Sequence, residues 1–222
     1  MSNFFWSDVP SNSAFPLASA GYPFIFASIF TTAVFALLGL VTLSLMGLSA
    51  TFFICFFFRD PDRLVPGGTG LIVSPADGKV IKVEPISQTP YFEGACTRIS
   101  VFMSVFNVHV NRVPHEGTIR KVGYHPGKFV SANLDKASTD NEHNALLLET
   151  PNGKKVGFVQ IAGLVARRII CSVQTGDVLK RGQRFGLICF GSRLDIYLPS
   201  ETEIKVAVGD KVQAGSSIIG QW

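Results

Sequence analysis

The chain opens on one long apolar block and then changes to short alternating runs, and the two patterns predict two kinds of element. From Tyr22 through Phe58, 37 residues pass without an Asp, Glu, Lys or Arg. Wound into one helix, that block would measure about 55 Å against a hydrocarbon core of about 30 Å. The length therefore predicts an α-helical membrane hairpin over residues 22–58, either two short spans or a re-entrant pair, turning between Gly39 and Gly47. A single tilted span with a buried extension is the alternative. Pro61 disfavours helix at Asp60 and closes the block. After Arg63 the period becomes two: Ile81 and Val83 alternate with Lys82 and Glu84, and Ile99, Val101, Met103 and Val105 with smaller or polar neighbours. Leu194 to Leu198 and Ile204 to Val208 repeat the pattern. Gly and Pro punctuate these runs, so residues 59–222 are expected to fold as a mainly β soluble domain of sandwich or barrel-like hairpins with few helices. Residues 1–21 form an N-terminal segment ahead of the block.

An internal repeat strengthens the β reading. Gly176-Asp177 with Gly182 is echoed by Gly209-Asp210 with Gly215, each a strand-turn-strand signal. Such turns resemble the hairpins of biotinyl and lipoyl carrier domains. Lys180 and Lys211 at the tips lack the flanking residues of a modified lysine, so only the hairpin shape is shared.

Composition then bounds the partners. The chain is 47% hydrophobic with 19 Phe and only 16% charged residues, lean for a protein wholly in water. All the basic charge follows the apolar block: taking Asp8 from the 16 acidic residues leaves 15 against 20 basic ones, a formal +5 over the 164 residues from Arg59. These charges are dispersed and carry no stacking-aromatic motif, which argues against nucleic acid and for an anionic bilayer. Arg59 and Arg63, directly after the block, favour a cell (inner) membrane location with the β domain facing the cytoplasm. Met1 to Gly21 contains no Lys or Arg and does not read as a signal peptide. Cys55, Cys96, Cys171 and Cys189 lack CxxC spacing, so neither a metal site nor a disulfide framework is expected.

Three places could carry chemistry. In a strand, Asn107, His109 and Asn111 would share one face, amides around a single titratable imidazole. That face is either a half-solvated strand or a mount for a proton donor. Ser74-Pro75-Ala76-Asp77-Gly78 is a turn, in which Asp77 either caps the backbone or orients a histidine. Gly191-Ser192 lies between the apolar run ending at Phe190 and the strand from Leu194. Gly215-Ser216 is a second such pair, and spacing alone does not choose between them.

Taken in order, Phe57-Phe58-Arg59-Asp60-Pro61, Ser74-Pro75-Ala76-Asp77-Gly78, Asn107-Val108-His109-Val110-Asn111-Arg112, Ala166-Arg167-Arg168 and Phe190-Gly191-Ser192-Arg193 resemble phosphatidylserine decarboxylase proenzymes of the short bacterial and archaeal form. The likeness runs from the apolar block to the last strands. It implies cleavage between Gly191 and Ser192, giving a β chain of residues 1–191 and an α chain of 192–222 that stay together as a heterodimer. It also implies conversion of Ser192 into a covalent pyruvoyl group, the cofactor, which forms a Schiff base with phosphatidylserine and releases carbon dioxide and phosphatidylethanolamine, a step of phospholipid biosynthesis. No metal is required, and a homo-oligomer is compatible with this scheme.

The resemblance also assigns roles. His109 becomes the proton donor and Asp77 the aspartate that assists self-cleavage. Longer members of the family carry a second histidine where this chain has Arg112, and arginine cannot serve as a base at neutral pH. His109 then serves both steps, or His125 substitutes. His143 stands where an arginine is expected. Arg167 and Arg168 either bind the lipid phosphate or lie against anionic headgroups, with Asn111 and Arg112 beside the substrate. The rivals are a pyruvoyl decarboxylase acting on a free amino acid or a different serine lipid, and an uncleaved, non-catalytic membrane-anchored β domain.

Overall fold

The computed structural model describes residues 4–11, 15–128, 130, 140–163, 168–189 and 191–222. It divides into two units, one of Met1–Pro10 with Arg63–Trp222 and the other of Ser11–Asp62. The first unit is built of antiparallel strands, numbered here in chain order. Its large sheet runs, edge to edge, β11 (Val178–Leu179), β7 (Gly117–His125), β8 (His143–Glu149), β9 (Lys155–Ala162), β13 (Ser192–Pro199), β5 (Cys96–Met103), β4 (Gly78–Ile86), β15 (Lys211–Val212). Two small sheets have the orders β10 (Ile169–Cys171), β12 (Arg184–Ile188), β6 (Val110–Arg112) and β14 (Glu203–Ile204), β16 (Ile218–Gln221), β3 (Leu71–Val73). A ribbon of β1 (Phe4–Trp6) and β2 (Leu64–Pro66) completes the unit, so its first strand comes from the N-terminal segment.

The period-two pattern explains the packing. Val101 and Met103 of β5, Leu146 and Leu148 of β8, Phe158 of β9 and Leu194, Ile196 and Leu198 of β13 point into one core. There they meet Phe185 and Ile188 of β12, Ile72 of β3 and Ile219 of β16 from the small sheets. The other face of the large sheet carries a second, smaller cluster of Cys96, Ala145, Val159, Ile161 and Tyr197. Strand β13 is therefore buried on both faces, which an alternating sequence does not ordinarily signal.

Two expected strands are shorter than their alternation. The run through Val105 ends at Met103, because the Asn107 side chain accepts hydrogen bonds from the Ser104 N–H (2.9 Å) and hydroxyl (2.7 Å) and closes a turn. Asn107 is thus a turn residue rather than a member of the strand of Asn111, which begins at Val110. Of Ile204 to Val208, only Ile204 lies in a strand.

The Gly-Asp repeat proves to be part of a larger duplication. Asp177 and Asp210, 33 residues apart, each accept a 2.9 Å hydrogen bond from the backbone N–H three residues before them, Gln174 and Ala207. A second offset of 39 residues links Val73 with Arg112 and Pro75 with Pro114: the Val73 N–H donates to the Pro114 carbonyl and the Arg112 N–H to the Pro75 carbonyl, both at 2.9 Å. The two small sheets match strand for strand under these offsets. The first-half copies share little beyond Pro-x-acid-Gly, at Pro75 to Gly78 and Pro114 to Gly117. Both glycines are required by closeness, since a Cβ would lie 2.1 Å from the Phe102 carbonyl oxygen at Gly78 and 2.4 Å from that of Glu149 at Gly117.

The second unit is a pair of helices, α1 (Tyr22–Leu37) and α2 (Val41–Phe57). They turn at Leu38 to Leu40, at the early edge of the expected window, where Gly39 takes a left-handed φ of +73°. The Ser28 and Thr51 hydroxyls lie 2.8 Å apart, and at Gly47 a Cβ would sit 2.5 Å from the Thr32 hydroxyl. Residue pairs 28/51 and 32/47 share one sum, so the helices are antiparallel in a single register with a seam of small and hydroxylated residues. Thr31, Thr32, Ser44, Ser49 and Thr51 also return their hydroxyls to carbonyls four residues earlier. With polar groups thus engaged, the outside is Phe26, Phe30, Leu38, Val41, Met46 and Phe52, all well exposed. Among the described residues, the helical stretch Ser19–Leu37 is long and apolar enough to cross a membrane, while α2 is shorter.

Candidate active site

The most pointed contact in the β unit joins His109 to the residue before Ser192. His109 is fully buried and lies just ahead of β6. Its Nδ1 is 3.0 Å from the Asn107 carbonyl oxygen, which can only accept, so this bond assigns the ring proton to Nδ1. In the neutral ring, Nε2 then presents a lone pair, and it accepts the Gly191 N–H at 3.4 Å. Gly191 has φ +68°, yet a Cβ built there would meet nothing within 4 Å. Its need for glycine is therefore conformational and not steric.

Ser192 opens β13, opposite Met103 of β5 and Ala162 of β9, and is fully buried. Its hydroxyl donates to Met103 Sδ at 3.3 Å, a weak acceptor that leaves the oxygen easy to redirect. The same sulfur lies 3.7 Å from Asn111 Nδ2. Asn111 Oδ1 accepts from Gln160 Nε2 at 2.9 Å, and Gln160 Oε1 accepts from Asn144 Nδ2 at 3.0 Å. A buried relay of amides thus runs from β8 through β9 and β6 to the sulfur that touches Ser192. The sequence reading missed Met103, Gln160 and Asn144. The available signal was a lone amide inside the apolar run Phe158 to Ala162.

The remaining expected residues fall in different places. Asp77 receives the Ala214 N–H on Oδ1 at 2.7 Å and Arg63 Nη2 on Oδ2 at 2.8 Å, so both oxygens are engaged. Arg112 donates to the Gly182 carbonyl at 3.0 Å and pairs with Asp8 at 3.4 Å. Alternation along β6 points it away from the Met103 side taken by Asn111. Arg168 is exposed, and its carbonyl accepts the Cys189 N–H at 3.0 Å, which places it beside the segment leading to Gly191. Arg167 lies outside the described residues. Burial pushes the Cys189 thiol up, with the Arg168 charge opposing, so this neighbour of Gly191 is no thiolate nucleophile at neutral pH.

The other histidines are elsewhere. His125 stacks on His143 with ring centroids 4.7 Å apart. They belong to the cross-strand row of Ile161 and Arg193, on the face opposite the Ser192 side chain. His115 packs against Trp222 at 5.0 Å. Among the described residues, His109 is therefore the imidazole bonded to Gly191, the residue before Ser192. Among the described residues no group of three or more His, Cys, Asp or Glu side chains is arranged to hold a metal.

The sequence model of the family described as phosphatidylserine decarboxylase matches residues 50–220, a stretch containing Asp77, His109, Gly191 and Ser192. A phosphatidylserine decarboxylase proenzyme of Syntrophus aciditrophicus is 53% identical over 208 residues, 93% of this chain and 97% of that one. One of Nitratidesulfovibrio vulgaris is 50% identical over 210 residues, 95% and 96%. One of Desulfotalea psychrophila is 48% identical over 206 residues, 93% and 96%.

Proposed function

Since the chain belongs to the phosphatidylserine decarboxylase family, and is thus a carboxy-lyase made as a proenzyme, we propose that it cleaves itself before Ser192 and decarboxylates phosphatidylserine at a pyruvoyl group formed there. The observation that carries this reading is that His109 Nε2 accepts the N–H of Gly191, the residue before Ser192, with Gly191 held in a left-handed conformation. Ser192 Oγ turns from Met103 Sδ to attack the Gly191 carbonyl carbon, while His109 Nε2, released from the Gly191 N–H, takes the hydroxyl proton and returns it to the departing nitrogen, so an amide becomes an ester. Loss of the Ser192 α-proton then breaks the Cβ–O bond, freeing Gly191 as a carboxylate and leaving dehydroalanine. Water converts this to a ketone and ammonia. The surroundings fit such a group: Ser192 is enclosed, its hydroxyl donates to a thioether, and open space surrounds Gly191.

The ketone supplies an electron acceptor for the substrate amine as carbon dioxide leaves. His109 stays beside position 192 to hold the proton that replaces it. Asn111, through Met103, sets the wall of the site. Asp77 joins Arg63 of the β chain to Ala214 of the α chain, which supports a role in holding the cleaved heterodimer together as well as in cleavage. The bonds of Arg112 to Gly182 and Asp8 support a clamp in place of a substrate contact. Exposed Arg168, with Arg167, is assigned to the lipid phosphate.

The helix pair is read as the bilayer anchor. Its exposed Phe and Leu side chains suit lipid, the hydroxyls of Ser28, Thr31, Thr32, Ser44, Ser49 and Thr51 are engaged within the pair, and Arg59 at the end of α2 favours a cytoplasmic face. A lipid substrate gives the anchor a purpose, since the headgroup is met at the interface. The test is carbon dioxide release from phosphatidylserine vesicles and from free serine. Release from the lipid, abolished by Ser192→Ala, is the expected outcome; release from free serine alone would overturn the substrate assignment.

A further inference from the structure

The residue after Ser192 poses a separate question. Arg193 and Asp195 form a two-pronged ion pair, Nε to Oδ1 and Nη2 to Oδ2, both at 2.7 Å, with neither side chain accessible to solvent. They alternate with Ser192, Leu194 and Ile196, so they lie on the opposite face of β13 from the Ser192 hydroxyl. There Arg193 is flanked by Phe102 and Ile161, and Asp195 by Ser100 and Val159. Neither carboxylate nor guanidinium is placed to touch a substrate at position 192. A buried ion pair of this kind is also a poor device for stability, because well-packed apolar side chains usually serve as well or better.

Resting on the pyruvoyl reading above, we infer that the Arg193–Asp195 pair is a positioning device that fixes the first amide of the α chain after the Gly191–Ser192 bond is broken. Before cleavage, residue 192 is held from both directions along the backbone. Afterwards it is a chain terminus, its N–H has left as ammonia, and its carbonyl is bonded to the Arg193 nitrogen. Chain ends fray unless tied down. The ketone and the adjacent amide carbonyl accept electrons together only when their planes align, and the plane of that amide is set by Arg193. The fork of Arg193 on Asp195 fixes both side chains and keeps the backbone between them extended. It does so from the opposite face of the sheet, without entering the site.

The experiment compares Arg193→Met/Asp195→Leu, which replaces the pair by apolar side chains, with Arg193→Lys, which keeps the charges but loses the fork. Both variants are expected to self-cleave. Amide exchange at residues 193–195 should accelerate on the order of tenfold in the double variant. Turnover of phosphatidylserine should fall roughly 10- to 100-fold in kcat, the range expected for slight misplacement of a reacting group, with KM nearly unchanged. Arg193→Lys should lie between the wild type and the double variant in both measurements. Wild-type exchange and wild-type kcat in a cleaved double variant would overturn the inference and leave the pyruvoyl reading standing. If the double variant does not fold, wild-type exchange and kcat in Arg193→Lys would overturn it equally. A wild-type chain that never cleaves would sink both.

Discussion

Gly191→Ala isolates the conformational part of self-cleavage. The added methyl would meet no atom within 4 Å, so packing contributes nothing to the cost. What remains is φ +68°, a left-handed conformation that costs an L-residue about 1–2 kcal/mol. If alanine relaxes out of it, the population holding the Gly191 carbonyl in the attack geometry falls roughly 5- to 30-fold, the ratio that such an energy commands. Cleavage should slow by the same factor, followed as conversion of purified precursor into two fragments on a denaturing gel. Gly153→Ala is the matched control: φ is +76°, open space surrounds it, and it lies in the turn between β8 and β9. That variant should lose similar stability, with Tm lower by about 2–8 °C, and cleave at the normal rate. Cleavage of Gly191→Ala within twofold of wild type would refute the reasoning. So would an equal slowing in Gly153→Ala.

Three further outcomes follow from the same contacts. Gln160→Leu strands the Asn111 carbonyl oxygen and the Asn144 amide in the core, at about 1–3 kcal/mol for each unmade bond, so Tm should drop and cleavage slow as Met103 loses its support; a wild-type melt would contradict the relay. Asp77→Asn deprives Arg63 of its charge partner, and the urea midpoint for loss of the α fragment from the cleaved protein should fall, whereas an unchanged midpoint would remove Asp77 from the link between fragments. Burial, helped by the Arg181 charge and opposed by Glu116, holds the His115 imidazole below its ordinary range. The unfolded chain therefore takes up a proton that the folded one refuses once pH drops below about 6.5. Tm should be level above that point and decline toward pH 5, and His115→Phe should flatten the decline; parallel profiles would refute this assignment.

Much of the architecture was legible because burial on a pleated surface imposes a period of two, and β4, β5 and β13 declare themselves by it. The helix pair was legible from length and charge alone. What alternation could not give was where a run stops: Asn107 ends β5 by capping a turn with its side chain, a local competition invisible to hydrophobic pattern. Nor could it show that the polar face of β13 is buried, because Arg193 and Asp195 satisfy each other there. The duplication was half visible, through its Gly-Asp turns, while its other half shares backbone geometry and little sequence beyond Pro-x-acid-Gly. At the site, His109 stood out as a lone imidazole among amides, the choice of Gly191–Ser192 over Gly215–Ser216 came from family resemblance, and the fold brings His109 and Gly191 together. Met103, Gln160 and Asn144 were missed because each is distant in sequence and ordinary by itself.

The mass of the purified native protein under denaturing conditions tests the central claim most directly. Two polypeptides are expected, residues 1–191 and residues 192–222, the smaller one lighter by one ammonia than a chain beginning with serine and closed to N-terminal sequencing. A single chain of 222 residues with an intact Ser192 in an active preparation would contradict the account.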